Sequence, residues 1–235
     1  MINSGKRAVL GITMQTCEPF SDLSDKEGPV RGFLHRSSIP KADSLILTHS
    51  AGANCESPLL VALAEAFCTI GLTVLRCDLP FRQARPYGPP PRGSAERDQS
   101  GLRAAVAALR RLNPAHIFLG GHSYGGRQAS ILVASEPTLV DGLLLLSYPL
   151  HPPKRPEQLR TAHFPSLRVP AFFVQGVRDE FATIAEMESA LALIPGRKEL
   201  LAIAGAGHEL MTKSNREDLI AAVTSGFNSF MSAKA

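Results

Sequence analysis

The sequence predicts an α/β fold, with a mostly parallel central sheet of about eight strands and helices on both faces. Three observations carry this. Short apolar runs of strand length, such as residues 44–48 and 142–147, alternate with longer stretches whose apolar residues recur at helical spacing. The strand-length runs are almost continuously apolar, as strands covered on both faces must be. The linking segments are short, which favours parallel strands joined by helices. With 235 residues and 44% hydrophobic content, the chain can bury one large core, so a single domain over residues 1–235 is expected.

Taken in order, residues 7–14 and 30–35 read as an antiparallel edge pair. Between them, the polar and turn-rich stretch from Glu18 to Pro29 reads as a loop, so that residues 1–29 form an N-terminal edge strand and its loop. Residues 44–48 form the next strand. It runs into His49-Ser50-Ala51-Gly52-Ala53-Asn54, a loop of small residues whose backbone can approach a ligand closely; a plain strand–helix turn is the other reading. Leu59, Leu60, Leu63, Ala66, Phe67 and Ile70 fall at helical spacing from about residue 57 or 58 to 69. Pro58 suits the first turn and Gly71 ends the helix. Residues 72–76 return as a strand.

Residues 82–97 are the least regular part. Pro86, Pro89, Pro90 and Pro91 exclude a helix interior or central strand there. Arg82, Arg85, Arg92 and Arg97 would form either a basic wall over a site or a solvated loop, and the solvated loop is expected. Ser94 opens a helix with Leu102, Val106, Leu109 and Leu112 on one face, stopped by Pro114. A strand over 116–119 and a helix from about 126 to 135 follow. Strands six and seven cover 142–147 and 170–175. The intervening 148–169, with five prolines, is too short for a separate cap domain and reads as a flap. A helix over 184–193, a strand over 200–203 and a helix over 215–230 complete the chain, with Leu219, Val223, Phe227 and Phe230 facing inward.

Net charge is +4, with no Lys or Arg run and few aromatics to stack on bases, so nucleic acid is excluded as a partner. Cys17, Cys55, Cys68 and Cys77 lack metal-ligand spacing and any disulfide pattern, and fit small buried side chains in a reducing compartment. The first apolar stretch is broken by Thr13, Gln15 and Thr16, and no run reaches the length of a membrane span. A soluble, cytoplasmic protein without membrane partners is expected.

The chemistry is concentrated in Gly120-Gly121-His122-Ser123-Tyr124-Gly125-Gly126-Arg127. An apolar strand enters this segment and a helical pattern leaves it. Gly-X-Ser-X-Gly at such a junction is a nucleophile elbow: the turn is tight enough to demand glycine on either side and lifts the serine hydroxyl above the sheet. A serine needs a base, and the base needs an orienting acid. In an open α/β sheet these belong at the carboxyl ends of strands. His208, on the glycine-flanked loop after the last strand, meets this condition. His116 starts a strand, His35 lies on an edge strand, His122 points away from the serine, His49 packs under its own loop, and His151 and His163 lie in the flap. Asp179 follows the seventh strand and is the favoured acid; Glu180 beside it could take its place, and Asp78 is a weaker third candidate with a local role of its own. Asp141 lies at the opposite rim.

The order Ser123, Asp179, His208 resembles that of the α/β-hydrolase superfamily. Together with His-Ser-Ala-Gly-Ala (49–53), Gly-Val-Arg-Asp-Glu-Phe (176–181) and Gly-Ala-Gly-His (205–208), the chain is similar to capless, dienelactone-hydrolase-like members. Within them it most resembles the domains related to a testis-expressed hydrolase-like protein and to a subunit of a histone-acetyltransferase complex. The resemblance implies Ser123 as nucleophile, His208 as base and Asp179 as acid, with oxyanion donors at the backbone of Tyr124 and Ala51. In this chain Ser50 stands where the family loop usually has glycine, and the nucleophile is serine rather than the cysteine of dienelactone hydrolases. The implied activity is hydrolysis of a small-molecule acyl substrate without metal or organic cofactor. A non-catalytic binding module on the same fold, and a peptidase, are the alternatives.

Overall fold

The computed structural model describes residues 16–39 and 42–233. The apolar runs line up as the middle of one eight-stranded sheet. Its strands are β1 (Thr16–Asp22), β2 (Val30–Arg36), β3 (Ser44–Thr48), β4 (Thr73–Cys77), β5 (Ile117–His122), β6 (Gly142–Leu146), β7 (Ala171–Gly176) and β8 (Lys198–Ile203). The helices are α1 (Pro58–Thr69), α2 (Pro80–Ala84), α3 (Ala95–Arg110), α4 (Tyr124–Ser135), α5 (Ile184–Leu191) and α6 (Arg216–Ser232). Strand order is β1-β2-β4-β3-β5-β6-β7-β8. β1 and β2 pair antiparallel, as do β2 and β4; every other pairing is parallel.

Every residue of β3, β5, β6 and β7 is buried. Side chains alternate between the faces, so one strand feeds two cores. Ile46, Leu119, Leu145 and Phe173 meet the side covered by α3, α4 and α5. Leu45, Leu47, Leu144 and Val174 meet the side covered by α1 and α6. On that side Phe227 of α6 packs against Phe67, Phe118 and Phe172, with ring centroids 5.5, 5.3 and 6.2 Å away. Gly71 ends α1 because the chain turns there with φ of 105°, a conformation that suits glycine.

Two expectations are corrected, and one falls outside the described residues. The expected strand over 7–14 lies outside them. The stretch from Glu18 to Asp22, expected to be loop, is most of strand β1, paired residue for residue with β2 from Thr16↔Arg36 to Asp22↔Val30. Its polar side chains suit an edge strand, where pairing rather than apolar content fixes the register. The expected irregular region 82–97 begins inside α2, a single turn opened by Pro80 with Phe81 packed beneath it. The segment 148–169 has no regular element beyond a 3₁₀ turn at Phe164–Ser166. It is anchored rather than loose, because Tyr148, Leu150, Phe164, Leu167 and Val169 are all buried.

The topology places the site. From β3 the chain moves outward to β4, then crosses back to place β5 on the other flank of β3. Neighbouring connections therefore leave in opposite directions at the carboxyl ends of β3 and β5. A crevice opens at such a switch point, and the loop at 49–54 and Ser123 both stand there.

Burial lowers the pKa of four histidines, His35, His49, His122 and His163, which should make the fold acid-sensitive, and His35 and His163 set the pH window. His35 is buried and accepts a hydrogen bond from Arg76 Nε at 3.0 Å. Burial, and then the Arg76 charge, lower its pKa from 6.5 to about 4. His163 is lowered from 6.5 to about 4 in the same way, by burial and then by Arg127. The folded chain thus binds fewer protons than the unfolded chain between about pH 4 and 6.5. The stabilisation is complete above pH 6.5 and is lost as pH falls towards 4. The unfolding temperature is expected to drop by roughly 5 °C or more between about pH 7 and 4.5. The drop should shrink in His35→Gln protein, as thermal unfolding across that range will read.

Candidate active site

β5 ends at His122 and α4 begins at Tyr124, so Ser123 alone reverses the chain. Its φ is 52° and ψ −114°, a left-handed backbone on a non-glycine residue. The surroundings hold it there. Ser123 N–H donates to Leu146 O at 2.8 Å, and Arg127 N–H donates to Ser123 O at 2.9 Å. The flanking glycines are a steric necessity: a Cβ on Gly121 would lie 2.8 Å from Gly126 N, and one on Gly125 would lie 2.6 Å from His49 O. The helix starts at Tyr124, two residues before the expected 126, because it springs directly from the serine. Its first amides have no acceptor within the helix.

His208 Nε2 is 2.8 Å from Ser123 Oγ. On its far side, His208 Nδ1 lies 3.0 and 2.9 Å from the two carboxylate oxygens of Asp179. Asp179 is buried and accepts two further bonds, from Gln175 Nε2 at 2.8 Å and from the Phe181 amide at 2.9 Å. The loops that carry Asp179 and His208 are tied to each other, Arg178 N–H donating to Ala206 O at 2.8 Å. Phe181 covers the imidazole, ring centroids 4.1 Å apart. The three side chains expected from the sequence are therefore joined in one series of hydrogen bonds. An ionised carboxylate can only accept, so His208 Nδ1 carries the proton and Nε2 is free to take one from the serine.

Of the three candidate carboxylates, Asp179 is the one that reaches His208. Glu180 is exposed and makes none of these contacts. Asp78 turns to its own neighbourhood, accepting the Cys55 amide at 2.8 Å. The remaining histidines stay apart from the serine. His116 pairs with Asp43 at the opposite rim, His163 bonds Ser130, and His49 is buried between Ser50 O and the Leu79 amide.

Three supports were not anticipated from the sequence. His122 Nε2 and Ser147 Oγ both donate to the His208 carbonyl, at 2.9 and 2.6 Å. Burial lowers the pKa of His122, and a carbonyl only accepts, so His122 sits neutral with its proton on Nε2. Asp98, on α3, is fully buried and accepts from Tyr124 Oη at 2.7 Å, Ser94 Oγ at 3.1 Å and the Phe81 amide at 3.0 Å. Arg82 is the third. It belongs neither to a basic wall nor to a solvated loop: it is buried, and donates to Ala51 O and Ala53 O at 2.8 Å each, to Gly88 O at 3.0 Å and to Arg85 O at 3.2 Å. One guanidinium thus pins the loop after β3 to the proline-rich segment.

Ala51 and Tyr124 line a cavity of about 660 Å³ together with Ser123 and His208. Ser50 does not have positive φ, so the backbone there makes no demand for glycine, and the loop closes through Ala53 N–H to Ser50 O at 3.2 Å. Among the described residues, no helix is long and apolar enough to cross a membrane.

A family model described as alpha/beta hydrolase domain matches residues 41–232. Among solved structures, the fold is similar to a dienelactone hydrolase from Anabaena variabilis, at 19% identity and a TM-score of 0.72 over 92% of this chain and 98% of that one. It is similar to Est1E from Butyrivibrio proteoclasticus, at 17% identity and a TM-score of 0.73 over 92% and 99% of the two chains. It also resembles XC6422 from Xanthomonas campestris, described as a serine hydrolase without a lid, at 17% identity and a TM-score of 0.67 over 93% and 97%.

Proposed function

The chain belongs to the alpha/beta hydrolase domain family, and from that premise we propose that it is a serine hydrolase of small ester-like acyl substrates. The observation that carries the reading is the unbroken series from Ser123 Oγ through His208 to a buried Asp179. In the proposed cycle Ser123 Oγ attacks the substrate carbonyl carbon while His208 Nε2 takes its proton. The tetrahedral oxyanion is held by the backbone N–H groups of Tyr124 and Ala51. The imidazolium, stabilised by Asp179, protonates the leaving group as it departs, and an acyl-enzyme remains. Water, deprotonated by His208, then releases the acid and restores the serine. This chemistry needs no metal or organic cofactor. Four free thiols, three of them buried, support a reducing, cytoplasmic setting.

A fluorophosphonate probe tests the reading, since it reacts only with an activated serine. Labelling that disappears in Ser123→Ala and His208→Ala is expected; folded protein that takes no label would falsify the hydrolase. A panel of short-chain esters, lactones, thioesters and peptides then identifies the acyl class.

Arg82 gives a further prediction. Arg82→Met keeps the aliphatic stem but leaves the Ala51 and Ala53 carbonyls unpaired, so the Ala51 amide loses its fixed aim. A fall in kcat of about 10²-fold is expected with a smaller change in KM, as for loss of one oxyanion donor. Stability should fall by about 1–3 kcal/mol. Arg82→Lys should restore only part of either, because an ammonium cannot span four carbonyls as the planar fork does. Steady-state kinetics beside thermal unfolding separates the two effects.

A further inference from the structure

The cavity that holds Ser123 has a second chemical feature, which the hydrolytic steps do not use. Arg127 lies one helical turn beyond Ser123 on α4, and Arg160 comes from the segment 148–169; both line the cavity. Among the described residues neither takes part in an ion pair. The buried Nε of Arg127 has no hydrogen-bond partner. Arg160 spends one donor on Pro149 O at 3.2 Å. Its backbone is held in place, its N–H donating to Leu150 O at 2.8 Å and its carbonyl accepting from Tyr148 Oη at 2.7 Å.

Arg82 shows how this chain treats a guanidinium whose role is structural: it is saturated with carbonyls. The cavity pair is not saturated in this way: Arg127 bonds the Tyr148 hydroxyl and keeps its Nε unpaired, Arg160 spends one donor on Pro149 O, and the two like charges act on each other. Burial first, and then the charge of Arg127, lower the pKa of Arg160. Two cations brought together without a counter-charge stand ready for an anion. The one carboxylate in the cavity lining, Glu209, is exposed, follows His208 and pairs with neither arginine.

We propose that the substrate carries, beside its scissile ester, a carboxylate that seats between Arg127 and Arg160. This rests on the serine-hydrolase reading and narrows it to acid-bearing esters. A guanidinium fork matches a carboxylate in two parallel hydrogen bonds, and the binding energy so gained orients the ester carbonyl over Ser123 Oγ.

Matched substrates test it. One arm sets the 4-nitrophenyl half-ester of adipic acid against 4-nitrophenyl hexanoate, placing the charge on the acyl part. The other sets 3-carboxyphenyl butyrate against phenyl butyrate, placing it on the leaving group. On one arm, kcat/KM for the charged ester should exceed that for its neutral partner by about 10- to 100-fold at low salt. Salt should erode the advantage, and Arg160→Met or Arg127→Met should lower the ratio to near unity. A ratio near unity on both arms in the parent protein overturns the proposal, as does a preference that survives both substitutions. Calorimetric titration of Ser123→Ala protein with monomethyl adipate reads the seat without turnover. Saturable heat that vanishes in the added Arg160→Met background supports it, and absence of heat at millimolar ligand counts against it. Should the serine chemistry itself be wrong, the fluorophosphonate fails to label while this titration still reports the anion.

Discussion

Ser123→Ala is expected to reduce ester turnover by about 10⁶-fold while leaving the fold intact. Alanine meets the same backbone requirement as serine at φ of 52°. The turn itself is held by main-chain bonds, to Leu146 O and from the Arg127 amide, which the substitution does not touch. Only the hydroxyl and its 2.8 Å bond to His208 disappear. The more telling expectation is non-additivity. If the hydroxyl and imidazole act as one unit, His208→Ala alone should cost about as much as Ser123→Ala, and the double variant no more than either. A residual rate of about 10³ over uncatalysed hydrolysis should persist, from the Tyr124 and Ala51 amides and from binding. Burst and steady-state kinetics with a 4-nitrophenyl ester, on proteins matched for unfolding temperature, measure all three. Losses that multiply in the double variant would mean that the two side chains act separately, against the mechanism drawn for them.

Much of this site was legible because its residues are under local constraint. Gly121 and Gly125 are read from sequence since any Cβ there meets backbone within 2.8 Å. The strand over 44–48 and the helix over 58–69 are likewise legible, because an unbroken apolar run and a helical repeat each admit one covered arrangement. What escaped depends on partners distant in sequence. Thr16–Asp22 becomes strand through pairing with β2, not through its own polar composition. Arg82 looks like any loop arginine until the fold surrounds it with carbonyls from residues 51, 53, 85 and 88. The clamp of His122 and Ser147 on the His208 carbonyl joins three different loops or strand ends. Asp98 did leave a sequence signal. It precedes Leu102, Ala105 and Leu109 at helical spacing, so it lies on the buried face of α3, where a carboxylate must find donors. The distinction between Asp179 and Glu180 was only partly legible: the sequence favours Asp179 without excluding its neighbour, whereas in the fold one is buried under the imidazole and the other faces solvent.

That distinction yields the second large effect. Asp179→Asn is expected to lower kcat by about 10⁴-fold with little change in KM, whereas Glu180→Gln should stay within about twofold of the parent. The reason lies in the donors already facing the carboxylate. Gln175 Nε2 points at Oδ2, the Phe181 amide points at Oδ1, and His208 Nδ1 lies near both. An asparagine must place its NH₂ at one of these positions, against a buried donor. The arrangement that relieves the clash best has the NH₂ donating to His208 Nδ1. The imidazole proton must then move to Nε2, where it points at Ser123 Oγ, and the serine loses its base. The imidazolium formed during turnover also loses the buried negative charge that stabilises it. An unmet donor in the pocket should cost a further 1–3 kcal/mol or so of folding stability, too little to explain the kinetic loss in protein that remains folded. Kinetics of both variants, each checked by thermal unfolding, decides the matter. A folded Asp179→Asn protein within tenfold of the parent would show that the orientation and charge of His208 do not depend on this carboxylate, and that the hydrogen bonds joining them are merely structural.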